Sequence, residues 1–407
     1  REGDTATEDD RRRHGLGKRT HLDAIGLTRR LWTFLPEPDE DDATFEKRPL
    51  PFVPTTRVAV DAWLAGVSRH RVGERGLAKL REVSEVLGDD RARAWATPAR
   101  DPGPEGAPAC FPYEASLLLD GGPEALVKEH EARSKGGDSE GPLKRACELV
   151  RRLHKECGAP VAYYAFVEMD GDGVGKLLAQ ADRARHAELI EALDTFADGI
   201  EVELRDRRAT VIYAAGDELC FYLPVDAALD AIAVVAACFA PIDAEATLSA
   251  GLVLAHAKDD LRTVRAEARA ALGRAKAHRT KRSQGAGSHL CVTELPRSGP
   301  ARSVVGPLGA LHESLVHWAG ALTRGGVSLH TEGLLLEHVD RFGDDRSGLA
   351  LLRQRILEQL ARSGGPPDST LTARVERITS AEHARELATE LRLAARLVDV
   401  QTQRSAS

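Results

Sequence analysis

Residues 161–167 read Val-Ala-Tyr-Tyr-Ala-Phe-Val, an unbroken apolar run that stops at Glu168-Met169-Asp170-Gly171-Asp172-Gly173-Val174-Gly175. The run is too short for a buried helix and rich in aromatic and β-branched residues, so it predicts a strand covered on both faces. Helical spacing follows at Leu177, Leu178 and Ala181, then at Leu189, Leu193, Phe196 and Ile200. Residues 209–213 and 219–223 predict two strands joined by the tight turn Ala214-Ala215-Gly216-Asp217-Glu218, a hairpin. A helix over 226–239, a strand over 247–255, a helix over 261–278 and a strand over 289–295 complete the pattern. The order β-α-β-β-α-β, with one more helix and strand, predicts an α+β, ferredoxin-like antiparallel sheet over 159–298.

The flanks read differently. Proline and glycine crowd 97–112 and 132–142, which predicts loops, and helical patterns occupy 56–67, 77–87, 114–131 and 143–156. A short amphipathic helix is expected over 21–35, before an acidic, proline-containing loop at 36–43. We therefore divide the chain into an irregular and helical region over 1–112, a helical connector over 113–158, the sheet domain, and a helical bundle over 305–407. Within that bundle no strand is expected beyond about 306.

Composition excludes some functions. A net charge of −7 argues against coating nucleic acid by bulk electrostatics, while leaving room for local basic stripes. The six cysteines show no Cys-x-x-Cys pair, so buried free thiols and a cytoplasmic location are expected. No apolar run approaches the length of a membrane span. The only methionine is Met169, and the sequence reads as a fragment or a trimmed form.

In a βαββαβ sheet the end of the first strand lies beside the hairpin, which would gather Asp170, Asp172, Asp217 and Glu218. Hard oxygen ligands at that density suit Mg²⁺ or Mn²⁺, with phosphate oxygens completing the shell. Two such ions would activate a ribose hydroxyl and stabilise a leaving pyrophosphate. Gly171, Gly173 and Gly175 let the backbone approach a polyphosphate, Gly216 supplies a positive φ for the hairpin, and Lys176 lies within reach of a phosphate. The stretch 261–282 carries eight basic residues against Glu267; of these, Lys276, Arg279 and Lys281 are the candidate phosphate ligands. Ser249 and His256 flank the fourth strand, and Ser249 joins the candidate nucleotide site. An EF-hand reading fails because its fifth and twelfth positions would be Val174 and Ala181.

These residues carry a resemblance. Met169-Asp170-Gly171-Asp172-Gly173-Val174-Gly175-Lys176 resembles the first palm motif of the large polymerase-like subunit of type III CRISPR effector complexes, closest to the Cmr type. Tyr213-Ala214-Ala215-Gly216-Asp217-Glu218 resembles its GGDD turn, and 248–258 with Ala275-Lys276 resembles its next signature. The C-terminal helices are similar to that family's last domain; Gly26–Leu31 and Pro54–Thr56 are fainter echoes of its insert region.

The resemblance implies an antiviral-defence enzyme whose palm polymerises ATP into cyclic oligoadenylate when the complex binds target RNA. It implies other effector subunits, crRNA and target RNA as partners, catalysis by Asp170, Asp217 and Glu218, and metal at Asp170, Asp172, Asp217 and Glu218. Two departures stand out: Ala215 replaces a glycine, restricting the turn and narrowing the ligand's space, and Glu218 replaces an aspartate. The family's His-Asp nuclease motif and its Cys-x-x-Cys zinc knuckle are not seen in the sequence. A catalytically inactive scaffold subunit of the same kind of complex is the alternative. A diguanylate cyclase is a further one, set back by Leu219 where Phe is expected.

Overall fold

The computed structural model describes residues 53–69, 73–88, 111, 115–122, 124–125, 128, 140–281, 287–362 and 369–397. The sequence readings over 1–52, 89–110 and 129–139 lie outside the described residues. Residues Pro54–Ser407 belong to one compact unit.

The first part of that unit is helical: α1 (Thr55–Arg69), α2 (Gly73–Gly88), a 3₁₀ turn at Ala115–Leu118, and α3 (Glu140–Cys157). The 3₁₀ turn replaces the start of the helix expected over 114–131. These elements close their own core around Trp63, Leu64, Leu80, Val83, Phe111 and Leu153. Trp63 satisfies its indole N–H on the Gly158 carbonyl at 2.9 Å, as a buried donor must.

The sheet follows. Its elements are β1 (Tyr163–Asp172), α4 (Val174–Gln180), α5 (Arg183–Asp206), β2 (Thr210–Ala215), β3 (Glu218–Pro224), α6 (Ala228–Phe239), β4 (Thr247–His256), α7 (Leu261–Lys281), β5 (His289–Glu294) and β6 (Arg302–Pro307). The strands lie in the order β2-β3-β1-β4-β5-β6. The first four alone give the ferredoxin-like arrangement, with β1 antiparallel to both β3 and β4. Strand β5 joins β4 in parallel across α7, and β6 returns antiparallel to it. The fold is α+β as expected.

Two elements differ from the sequence reading. Strand β1 continues five residues past Val167, so Asp170 and Asp172 sit inside the strand, where pairing to both neighbours holds the backbone extended. Strand β6 was not expected; it is a short edge strand carrying Gly306 and Pro307, residues depleted from strand interiors. The long helical stretch after β1 is also divided. Asp182 caps α5 by accepting the Arg185 N–H at 2.8 Å, and so separates it from α4.

Side chains alternate across β1. Tyr163, Ala165, Val167 and Met169 face a core shared with Phe196 and Ile200 of α5 and Ile232 and Val235 of α6. That core runs on into α8 (Leu308–Thr323), α9 (His330–Phe342), α10 (Arg346–Arg362), α11 (Ser369–Glu376) and α12 (Ala381–Leu397). Ions reinforce the junction: Arg396 of α12 donates to buried Glu294 of β5 at 2.8 Å and lies 3.9 Å from the Tyr163 ring centroid. On the opposite face of the sheet lies α7. Gly251 makes this close packing possible, because a Cβ there would overlap the Ala268 carbonyl and the Leu272 nitrogen of α7.

Candidate nucleotidyl-transfer site

The alternation that buries one face of β1 places Glu168, Asp170 and Asp172 in a row on the other. Helix α7 crosses this row and presents a cation to each acid. Arg265 donates to Glu168 at 3.1 Å, with Arg269 3.5 Å away. Lys276 pairs with Asp170, and Arg279 lies 3.6 Å from Asp172. Repulsion along the acid row is therefore offset by the protein's own side chains.

The three acids have different surroundings. Glu168 is buried, with its charge met by two partly exposed arginines. Asp172 is also buried; its Oδ2 accepts from Ser249 at 2.7 Å and from Thr247 at 3.1 Å. Asp170 keeps about a quarter of its side chain (27%) in solvent, which leaves it the most accessible of the row.

The hairpin supplies the rest. Register sets Glu218 opposite Asp170 on one side, and Ser249 opposite it on the other. Gly216 has φ 59°, the left-handed conformation the two-residue turn needs. Asp217 folds back onto β1: its carbonyl accepts the Gly171 N–H at 3.2 Å, and its side chain lies against Gly171. A Cβ on residue 171 would come within 2.6 Å of Asp217 Oδ2, so this glycine is the cradle for that carboxylate. Burial, reinforced by the charges of Asp170 and Glu218, pushes the Asp217 carboxyl above its usual range, although a backbone hydrogen bond and Lys276 act the other way.

Ala215 ends β2, paired with Glu218, and Arg208 is the one described non-glycine residue with positive φ. The backbone here makes no demand for glycine at 215, which corrects the expectation that alanine restricts the turn. Gly173, with φ 82°, caps α4, whereas Gly175 and Lys176 are exposed on that helix and no described partner engages the Lys176 side chain. The Lys281 side chain lies outside the described residues. His256 stacks edge-on against Tyr163 at the far end of β4, away from the carboxylates. The sequence reading missed Thr247 and Glu168 as members of this face. Their signal was period two, in Thr247-x-Ser249 and in Glu168-x-Asp170-x-Asp172.

A divalent ion fits this site by donor chemistry. Asp170 and Asp217 offer hard oxygens near Gly171, and the Lys276 ammonium already occupies a cation position between Asp170 and Asp172. Among the described residues, no group of three or more His, Cys, Asp or Glu side chains is closed around a metal position. Asp172 is held by its hydroxyl partners and Glu218 points to solvent.

Residues 163–284 match the family model of the Cas10/Cmr2 second palm domain. The chain carries a Cas10/Cmr2 palm. The matched segment begins at β1 and ends just beyond α7, so it encloses the acid row, the hairpin and the basic helix. No curated protein sequence matches the chain. Solved structures similar to it include a Csm1–Csm4 cassette in complex with cA4, at 18% identity and TM-score 0.40, covering 58% of this chain and 36% of that one. Csm1 from T. onnurineus is similar at 16% identity and TM-score 0.39, over 56% and 38% of the two chains. A type III-B Cmr-beta structure in the apo state is similar at 12% identity and TM-score 0.46, over 82% and 45%. The chain thus spans less than half the length of each of these matched chains. Among the described residues, no helix is long and apolar enough to cross a membrane.

Proposed function

We propose that this palm polymerises ATP into cyclic oligoadenylate, with Mg²⁺ or Mn²⁺, as part of an RNA-guided type III effector complex that is switched on by target RNA. The observation that carries the reading is the Asp217 carboxylate seated over Gly171 beside Asp170, inside a Cas10/Cmr2 palm. Each bond joins a ribose hydroxyl of one nucleotide to the α-phosphate of the next, with pyrophosphate leaving. Asp170 and Asp217 would hold a divalent ion, which would supply Lewis-acid stabilisation of the phosphoryl oxygens and would lower the pKa of the attacking hydroxyl.

The chain's own residues do the positioning. Asp172, locked by Ser249 and Thr247, is a fixed anion that holds Arg279 and the end of α7. Lys276 and Arg279 supply positive charge for a triphosphate, and the space beside Gly173 and Gly175 is open to it. Glu218, opposite Asp170, adds a carboxylate at the solvent edge of the site. In this reading the partners are other effector subunits, crRNA and target RNA.

Two observations favour the second reading, an inactive palm kept as a scaffold: Lys276 already neutralises Asp170, and three carboxylates do not close around a metal position among the described residues. The test is product analysis. The assembled complex with target RNA is given labelled ATP or GTP and Mn²⁺. Oligoadenylates that disappear in Asp217→Ala support the cyclase; cyclic di-GMP supports the diguanylate alternative. An intact complex that forms neither product supports the scaffold.

A further inference from the structure

Lys276 Nζ sits among oxygens of three consecutive residues: it pairs with Asp170 Oδ1, approaches the Gly171 carbonyl at 3.4 Å, and lies 4.0 Å from Asp172 Oδ1. Two carboxylates and a carbonyl on one short segment are a donor set for a hard cation. The ammonium, with three N–H donors, has taken that place. Its approach is fixed by the fold, because Gly251 lets α7 lie directly on β4. The stem is nonetheless free to swing: Lys276 is about one-third exposed (35%), and its four-carbon chain has many rotamers.

We infer that Lys276 is a tethered counter-cation that a divalent ion must displace from Asp170, and that moves to the nucleotide phosphates when displaced. This rests on the metal-site reading above and adds the order of events to it. An ammonium on Asp170 Oδ1 and a divalent ion on the same carboxylate compete, since like charges a few ångström apart repel. Arg279 stays beside Asp172 at 3.6 Å, so the second acid is not stripped when Lys276 leaves. Triphosphate offers the departing ammonium new oxygens. Nucleotide and metal therefore help each other bind, reciprocally, through the same side chain.

The inference predicts a gain on removal of the lysine. If the displaced state is about a tenth populated without nucleotide, Lys276→Gln tightens divalent binding about tenfold. The experiment titrates Mn²⁺ into the full chain without nucleotide, read by electron paramagnetic resonance, for the unaltered protein, Lys276→Gln and Asp170→Asn. Tighter binding by Lys276→Gln, with ATP tightening Mn²⁺ binding in the unaltered protein but hardly in the variant, supports the exchange. Equal or weaker binding by a folded Lys276→Gln, with binding lost in Asp170→Asn, overturns the exchange and leaves the metal site standing. No Mn²⁺ binding by either the unaltered protein or Lys276→Gln overturns the metal-site reading and the exchange with it. A second readout needs no variant: amine labelling at Lys276, followed by mass spectrometry, rises when Mn²⁺ saturates the site. Unchanged labelling at saturation overturns the exchange.

Discussion

Asp170 and Asp172 are two residues apart on the same face of β1, yet their removal has unequal consequences. Asp172→Ala deletes a buried carboxylate that accepts from Ser249, itself fully buried, and from Thr247. Hydrogen bonds to a charged acceptor contribute about 1.5–3 kcal/mol each, and breaking one partner of a buried pair costs about 3–5 kcal/mol. Part of that cost is relieved because Lys276 and Arg279 remain partly exposed to water. We therefore expect a net loss of about 3 kcal/mol. Over the unit Pro54–Ser407 the unfolding entropy scales to roughly 0.7 kcal/mol/K, so Tm falls by about 4 °C. Asp170→Ala removes a partly exposed ion pair, expected to contribute at most about 1 kcal/mol, or roughly 1 °C. Differential scanning fluorimetry on both variants without metal measures the contrast. Equal shifts, or a rise in Tm for Asp172→Ala through relief of carboxylate repulsion, would refute the view that Asp172 is a hydrogen-bonded anchor.

Gly251→Ala forces a Cβ into the backbone of α7, costing about 1–3 kcal/mol by overpacking. It also displaces Lys276 and Arg279, so product formation falls although no residue contacting nucleotide has changed; a normal rate would show that α7's seat is unimportant. Ala215→Gly leaves product formation unchanged and lowers stability by about 0.5–1 kcal/mol, because residue 215 lies in strand β2 with no positive φ to relieve. A large gain in activity would mean that the alanine does obstruct the site. His154 and His256 are both held below the ordinary 6.5, chiefly by burial. His256 Nδ1 accepts the Lys258 N–H, which requires the neutral ring. The unfolded chain binds these protons more readily, so this stability is complete above about pH 6.5 and is lost as pH falls through it. Denaturant midpoints should decline between about pH 7 and 5.5, less so in His256→Gln; an identical slope in the variant would contradict this.

Much of the fold was legible because the sheet writes itself in short apolar runs. Val161–Val167, the Gly216 hairpin and residues 247–255 each carry a strand's length and composition, and their order set the ferredoxin-like pairing. Strand β1's extension through Asp172 was hidden because glycine and aspartate are poor strand formers, and cross-strand pairing to β3 and β4 overrides that preference. Edge strand β6 was hidden by its Gly306-Pro307 end. At the site, Asp170, Asp172, Asp217, Glu218 and the basic helix could be named from the sequence, whereas Glu168 was not. What the sequence did not show was which cation meets which acid. That pairing follows from the seat of α7 on Gly251, a contact between residues distant in the chain.

The central claim is that a divalent ion at Asp170 and Asp217 acts on the α-phosphate of ATP. The most direct test replaces a non-bridging α-phosphate oxygen with sulfur and compares the rate of pyrophosphate release by the assembled, RNA-activated complex in Mg²⁺ and in Mn²⁺. Sulfur binds Mg²⁺ poorly and Mn²⁺ better, so a metal on that oxygen predicts a slowed reaction in Mg²⁺ that Mn²⁺ restores, and no pyrophosphate release by Asp217→Ala in either ion. The same sulfur effect in both ions, or pyrophosphate release that survives Asp217→Ala, would contradict it.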